Sequence, residues 1–167
     1  MADYIVDTNV LLVASAAEPY STFNDSDLPR DQQEAVLDWL VAFRDDAQAA
    51  IVWDQDFRIY EEYRHKLTDQ DYGLQVVHEK MMNCRRIAIE YDEDGHAIVP
   101  EAFSSFDASD RKFLAVALSE ESRARVANAT DTDWLQIEEL LRDRGVTVEH
   151  LIEKWLRAKH AEKEARK

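Results

Sequence analysis

Tyr4-Ile5-Val6-Asp7-Thr8-Asn9-Val10-Leu11-Leu12 is the stretch whose reading decides the fold. Ile5 and Val6 are β-branched and apolar, and the run breaks at Asp7-Thr8-Asn9 before apolar residues resume. A short all-apolar segment closed by polar turn formers predicts a buried strand of a parallel sheet. Asp7 is then the residue at which the chain leaves that strand. In open α/β sheets, ligands lie outside the carboxyl ends of the strands. Asp7 therefore falls where such folds carry their chemistry, provided that other carboxylates converge on it.

Outward from this strand, residues 10–17 stay apolar and predict the first helix, and residues 18–30, rich in breakers and caps, a loop. Residues 31–44 set Val36, Leu37, Leu40, Val41 and Phe43 along one helical face. Residues 49–53, closed by Asp54, predict a second strand, and residues 57–67 and 75–82 two further helices. Residues 87–91, the turn Asp92-Glu93-Asp94-Gly95-His96 and residues 97–99 predict a third strand with a hairpin return. Residues 107–118 open on acids and run into Phe113-Leu114-Ala115-Val116-Ala117-Leu118, apolar nearly all round and so a buried helix. Residues 124–127 predict a fourth strand, residues 134–144 a helix stopped by Gly145, residues 146–148 an edge strand, and the chain from 149 a charged helix. Strands alternating with helices predict an α/β domain with a mainly parallel sheet of four or five strands. On this reading residues 1–149 are the domain and residues 150–167 a charged helical extension.

Of 167 residues, 46% are hydrophobic and 33% charged, which fits one globular domain. A single cysteine, Cys84, excludes an internal disulfide and a cysteine-rich zinc site. No apolar run approaches the roughly 18 residues of a spanning helix, and Met1-Ala2-Asp3 lacks a basic signal-like start, so a soluble, cytoplasmic protein with no membrane partner is expected. The net charge is −15, and it is uneven: residues 151–167 hold six Lys and Arg against three acids, so the first 150 hold 14 against 32. A nucleic-acid binder usually shows a basic footprint, so any such function requires cations gathered locally.

Three acids stand at strand exits or helix starts: Asp7, Asp110 and Asp131, with Glu61 or Glu62 on the helix after the second strand as a fourth. Carboxylate oxygens are the donors that Mg²⁺ and Mn²⁺ prefer. Two such charges at about 4 Å repel by about 4 kcal/mol at an effective dielectric of about 20, so a cluster of them is expected to take divalent cations or hold protons. Tyr4-Ile5-Val6-Asp7-Thr8-Asn9-Val10-Leu11, Glu62-Tyr63-Arg64, the segment Asp110-Arg111-Lys112-Phe113-Leu114-Ala115-Val116-Ala117-Leu118, and Asp131-Thr132-Asp133-Trp134 resemble, in order, the four acidic motifs of PIN-domain ribonucleases. The resemblance spans residues 4–134. It implies a Rossmann-like three-layer sandwich with helices on both faces, and hydrolysis of RNA, single-stranded on family grounds, by Asp7, Glu62, Asp110 and Asp131 around Mg²⁺ or Mn²⁺. It further implies that Asn9 orients Asp7 by hydrogen bonding, that Asp133 is an accessory acid and that Thr130 supports the last loop. The choice of Glu62 over Glu61 rests on this resemblance; on a helical wheel the two lie about equally far from the apolar face.

Each residue also has a plainer reading. Asp7 is in place to cap the following helix, Asp110 to meet a helix dipole, Asp131 and Asp133 to shape a turn, and Glu62 to face solvent. Asp54 and Asp56 read as caps. His65, His78, His96, His150 and His160 show no metal-ligand spacing and read as surface residues, and Met81, Met82 and Cys84 as core packing. Arg64, Lys66, Arg111 and Lys112, adjacent in sequence to the acids, are the candidates for gripping an RNA backbone. Lys154, Arg157, Lys159, Lys163, Arg166 and Lys167 read equally as phosphate contacts or, with Glu153, Glu162 and Glu164 between them, as a solvated helix. The competing functions are a non-catalytic PIN-like module binding RNA or protein, and the toxin of a toxin–antitoxin pair, whose partner is an antitoxin. A second copy of the chain is a further partner to consider. A haloacid-dehalogenase-type phosphatase would need an acid at position 9, which is Asn9.

Overall fold

The computed structural model describes residues 1–18, 21 and 27–167. The loop expected over residues 18–30 lies largely outside the described residues, up to the helix start at Arg30. Among the described residues, five parallel strands form one sheet: β1 (Tyr4–Val6), β2 (Ile51–Asp54), β3 (Cys84–Ile87), β4 (Arg125–Asn128) and β5 (Val148–His150), in the order β3-β2-β1-β4-β5. Between them run α1 (Thr8–Ala16), α2 (Arg30–Asp45), α3 (Arg58–Lys66), α4 (Tyr72–Lys80), α5 (Arg111–Leu118), α6 (Asp133–Gln136) and α7 (Glu138–Asp143), and α8 (Glu153–Ala165) follows the last strand. The chain moves from β1 outward to β2 and β3, then returns to β4 and β5 on the other side of β1. Right-handed crossovers therefore put α1 to α4 on one face and α5 to α7 on the other. The switch in direction lies between β1 and β4, which pair over Tyr4–Arg125, Ile5–Val126 and Val6–Ala127.

The core follows from the apolar pattern. Ile5, Val6, Val52, Trp53, Val126 and Ala127 are fully buried, as strands covered on both faces require. In α2, Val36, Leu40 and Phe43 form the buried stripe, and in α5 Phe113, Leu114, Val116 and Ala117 do. α4 lies against α1 so closely that Gly73 is the contact: its N–H donates to Ser15 Oγ at 2.9 Å, and a Cβ there would stand 2.7 Å from the Leu11 carbonyl oxygen. Gly73→Ala should therefore cost about 2 kcal/mol by overpacking, read as a lowered midpoint in urea unfolding.

The structure corrects several sequence-based boundaries. The third strand is Cys84–Ile87, not residues 87–91, because β3 is an edge strand whose Arg85 and Arg86 break the apolar run that would mark it. Of the expected hairpin return only the Tyr91–Ala97 bridge forms. α4 starts at Tyr72, earlier than its apolar run, because the Asp71 carboxylate accepts from the Thr68 N–H at 2.6 Å and turns the chain before it. The expected helix over 134–144 is two helices, broken at Ile137. The boundary at 149/150 falls inside β5, and α8 is docked, with Leu156 fully buried and Trp155 packed against the core. Met82, expected in the core, is 94% exposed, whereas Met81 and Cys84 pack against it. No helix among the described residues is long and apolar enough to cross a membrane.

Candidate active site

Asp7 leaves β1 and begins α1 as its N-cap, so the plainer reading of this residue holds as far as it goes. The cap is weak: the Asn9 N–H reaches Asp7 Oδ1 at 3.4 Å. The stronger partner is the indole of Trp134, whose Nε1–H donates to Asp7 Oδ2 at 2.6 Å inside the protein. Asp7 is only 5% exposed, and that burial, reinforced by the charge of Asp131 and then of Asp110, pushes its pKa up to about 7 despite the indole bond. A buried carboxylate facing like charges holds its proton more tightly.

Asp110 ends a 3-10 turn that leads into α5, and it caps nothing. The capping is done three residues earlier by Asp107, which accepts from the Ser109 N–H at 2.9 Å. The Asp110 carboxyl is thus left without a capping bond, and burial and the charges of Asp131 and Glu62 raise its pKa to about 6. Asp131 follows β4; burial raises its pKa as well, while the N–H of Asp133, 2.9 Å from Asp131 Oδ1, and the Lys163 ammonium act in the opposite sense. Asp133 itself opens α6 and adds its charge beside Asp131.

Of the two glutamates on α3, Glu62 is half-buried and sets its charge against Asp110, and Glu61 is exposed to solvent. Glu62 Oε2 accepts the hydroxyl proton of Thr8, the residue after Asp7, and Oε1 meets Lys112 Nζ at 2.8 Å. Next to Glu62, Tyr63 donates its buried hydroxyl to the Val6 carbonyl and fixes α3 against the end of β1.

The expected role of Asn9 changes. Its side chain does not orient Asp7; it ties the exit of β1 to the exit of β4. Asn9 Oδ1 accepts the N–H groups of Ala129 (2.8 Å) and Thr130 (3.1 Å), and Nδ2 donates to Asn128 Oδ1 at 3.1 Å. Thr130 supports the loop through that backbone N–H. Asn128, fully buried, grips Asp131 twice, accepting from its N–H at 3.2 Å and donating to its carbonyl at 2.9 Å. His150, expected at the surface, is a half-buried residue of β5 whose side chain is only 2% exposed and whose Nδ1 lies 3.1 Å from Asn128 Nδ2. Burial lowers its pKa, so it stays neutral at pH 7.

Two of the four cations proposed to grip RNA are committed elsewhere. Arg111 donates to the carbonyls of Phe106 (3.0 Å) and Ser104 (2.7 Å), and Lys112 to Glu62 and the Ser109 carbonyl. Arg64 and Lys66 are exposed on α3. Asp54 is the cap expected of it, receiving the N–H groups of Arg58 and Ile59 and the hydroxyl of Tyr91.

Among the described residues, only Asp92, Asp94 and His96 bring three potential metal-ligand atoms within 4.8 Å of one another, in an exposed turn that the histidine spacing did not suggest. Asp92 Oδ1 is already taken there by the N–H groups of Asp94 and His96. Asp7, Glu62, Asp110 and Asp131 stand wider apart, as like charges do, with Glu62 drawn towards Thr8 and Lys112. Their donors are all carboxylate oxygens whose mutual repulsion a divalent cation relieves, a set suited to Mg²⁺ or Mn²⁺ and not to soft metals. Trp134, Asn128 and Thr8 were not assigned to the site from sequence, and Lys163 was read only as one of six C-terminal cations open to phosphate contact or to solvent. Nothing in an amino-acid pattern tells which buried indole N–H or amide will turn towards an acid. In comparisons with known proteins, the chain matches no family model, no curated protein and no solved structure.

Proposed function

We propose that this chain is a divalent-metal-dependent endoribonuclease acting on single-stranded RNA, of the PIN type that its motifs resemble. The observation that carries the proposal is the meeting of Asp7 and Asp131 across the β1/β4 switch with Asp110, each shifted towards holding a proton, two of them by the others' charge. A structural cap has no need of such company, and perturbed carboxylates gather at functional sites. Asp7, Asp110, Asp131 and Glu62 are the residues that would hold Mg²⁺ or Mn²⁺, which when bound supplies an activated water and stabilises charge on the phosphate. The chain's own part is positioning. Trp134 sets the carboxylate plane of Asp7, Thr8 and Lys112 set Glu62, and the Asn9–Asn128 pair holds Asp131.

The test is cleavage of an end-labelled single-stranded RNA with Mn²⁺, with Mg²⁺ and with EDTA. Wild type should cut with either ion and not with EDTA. Altering groups that merely support metal ligands typically costs 10- to 100-fold, so loss of a ligand in Asp110→Asn should slow cleavage by more than about 100-fold. A second reading, a PIN-like module that binds without cutting, is favoured by the Lys112–Glu62 pair at 2.8 Å, an internal counter-ion for one of the four acids. Absence of cleavage together with absence of divalent binding in calorimetry would decide for that reading.

A further inference from the structure

A site built from acids in a chain of charge −15 repels a polyanion, so a phosphodiester substrate needs a cation beside the acids. Arg111 and Lys112 are engaged, and Arg157, in the first half of α8, is held by Glu138 and Glu153 at 3.0 and 2.8 Å. A further cation faces Asp131 from the far end of the chain. Lys163 Nζ lies 3.0 Å from Thr132 Oγ1, to which it donates, and Thr132 sits between Asp131 and Asp133. Thr132 is 2% exposed whereas Lys163 is exposed, so the hydroxyl anchors the ammonium beside the Asp131 loop and leaves its other N–H groups open.

The helix explains how this lysine arrives there. Residues three and four apart share a helical face. The face that buries Leu156 continues through Lys159, Lys163 and Arg166, so it is apolar where α8 docks and basic where α8 passes the Asp131 loop. We propose that Lys163 is a phosphate contact of the acidic site and that the basic end of α8 forms one wall of the path followed by a single-stranded RNA. This rests on the ribonuclease reading for the identity of the polyanion. Lysine suits the role as a compact charge with three rotatable donors, one spent on Thr132 and two available to phosphate oxygens.

The test is binding rather than turnover: fluorescence anisotropy of a short fluorescein-labelled oligouridylate, in Ca²⁺ buffer, across a salt series. Lys163→Gln should weaken binding roughly fivefold and reduce the slope of log K against log salt by about 0.7, one phosphate contact on a single strand. Lys163→Arg should restore most of the affinity. Arg123→Gln, the same charge change at an exposed position before β4, at the opposite end of that strand from Asp131, should leave both quantities near wild type. The proposal is overturned if wild type binds no oligouridylate, if Lys163→Gln weakens binding no more than Arg123→Gln does, or if it tightens Mn²⁺ binding with RNA affinity unmoved, which would make Lys163 a counter-ion only. Lys163-dependent binding by a protein that cuts nothing with Mn²⁺ would sustain the contact and sink the ribonuclease reading.

Discussion

Asp7→Asn should abolish RNA cleavage and raise the melting temperature of the same protein at mildly alkaline pH. The two effects share one cause. Asp7 is buried beside the charges of Asp131 and Asp110, so it keeps its proton up to about pH 7 instead of the ordinary 3.8. In the unfolded chain the proton is lost near 3.8, so between that value and about 7 the native state binds more protons and stability falls as pH rises. At about 1.4 kcal/mol per unit, the ionised Asp7 costs the fold on the order of 4 kcal/mol above neutrality. Asparagine keeps an oxygen for the Trp134 indole and is itself a good N-cap, yet carries no charge. Recovering even half of the penalty should raise Tm by about 4–8 °C for a chain of this size. Melting curves in EDTA across the pH range are the check. Wild type should lose more stability from acid to neutral pH than the variant, in which Asp110 and Asp131 still resist ionisation, while Mn²⁺ should stabilise wild type only. A variant that melts lower than wild type at every pH would show that Asp7 is a structural acid.

This opposition between stability and chemistry also explains which parts of the molecule could be read without coordinates. Ile5-Val6 before Asp7 and the apolar body of α5 after Asp110 are signals of composition and order, and both survive in the structure as a buried strand and a buried helix. A mainly parallel sheet was legible for the same reason, since most of its strands are short apolar runs separated by helices; that all five strands are parallel was not. β3 was misplaced because an edge strand need bury only part of its surface, so Arg85 reaches Asp3 and the Ser122 carbonyl instead of interrupting a core. The choice between Glu61 and Glu62 was invisible on a helical wheel because it depends on Thr8 and Lys112, which lie 54 and 50 residues away in sequence. Lys163 belongs with these. Its charge could be read in α8, but its place beside Thr132 follows from where Leu156 docks the helix. Residue type and order reveal candidate ligands, and the groups that aim them are fixed only by tertiary packing.

Asn9→Ala should be the most damaging substitution in the site that touches no acid, costing about 4 kcal/mol. Removing the amide leaves the N–H groups of Ala129 and Thr130 without their acceptor and takes from the Asn128 oxygen one of its two donors, the Asp131 N–H remaining, and Ala129 and Asn128 are fully buried. Each buried polar group left unsatisfied costs about 1–3 kcal/mol, and water has little access to replace the bonds. The Asp131 loop then loses one of its two restraints, Asn128 being the other, so Mn²⁺ affinity and cleavage should fall together with stability. Asn9→Asp separates the amide's bonding from its mere presence. As a carboxylate it still accepts from both N–H groups, but it sets a second acceptor against Asn128 Oδ1 and adds a charge to a site that already repels its own. When protonated, its O–H donates where the amide N–H did, and the arrangement of donor and acceptors is that of asparagine. Urea unfolding should therefore find Asn9→Asp close to wild type at mildly acid pH and well below it above neutrality, whereas Asn9→Ala stays low throughout. If both variants lie within about 1 kcal/mol of wild type at every pH, the exits of β1 and β4 are held by something other than this amide.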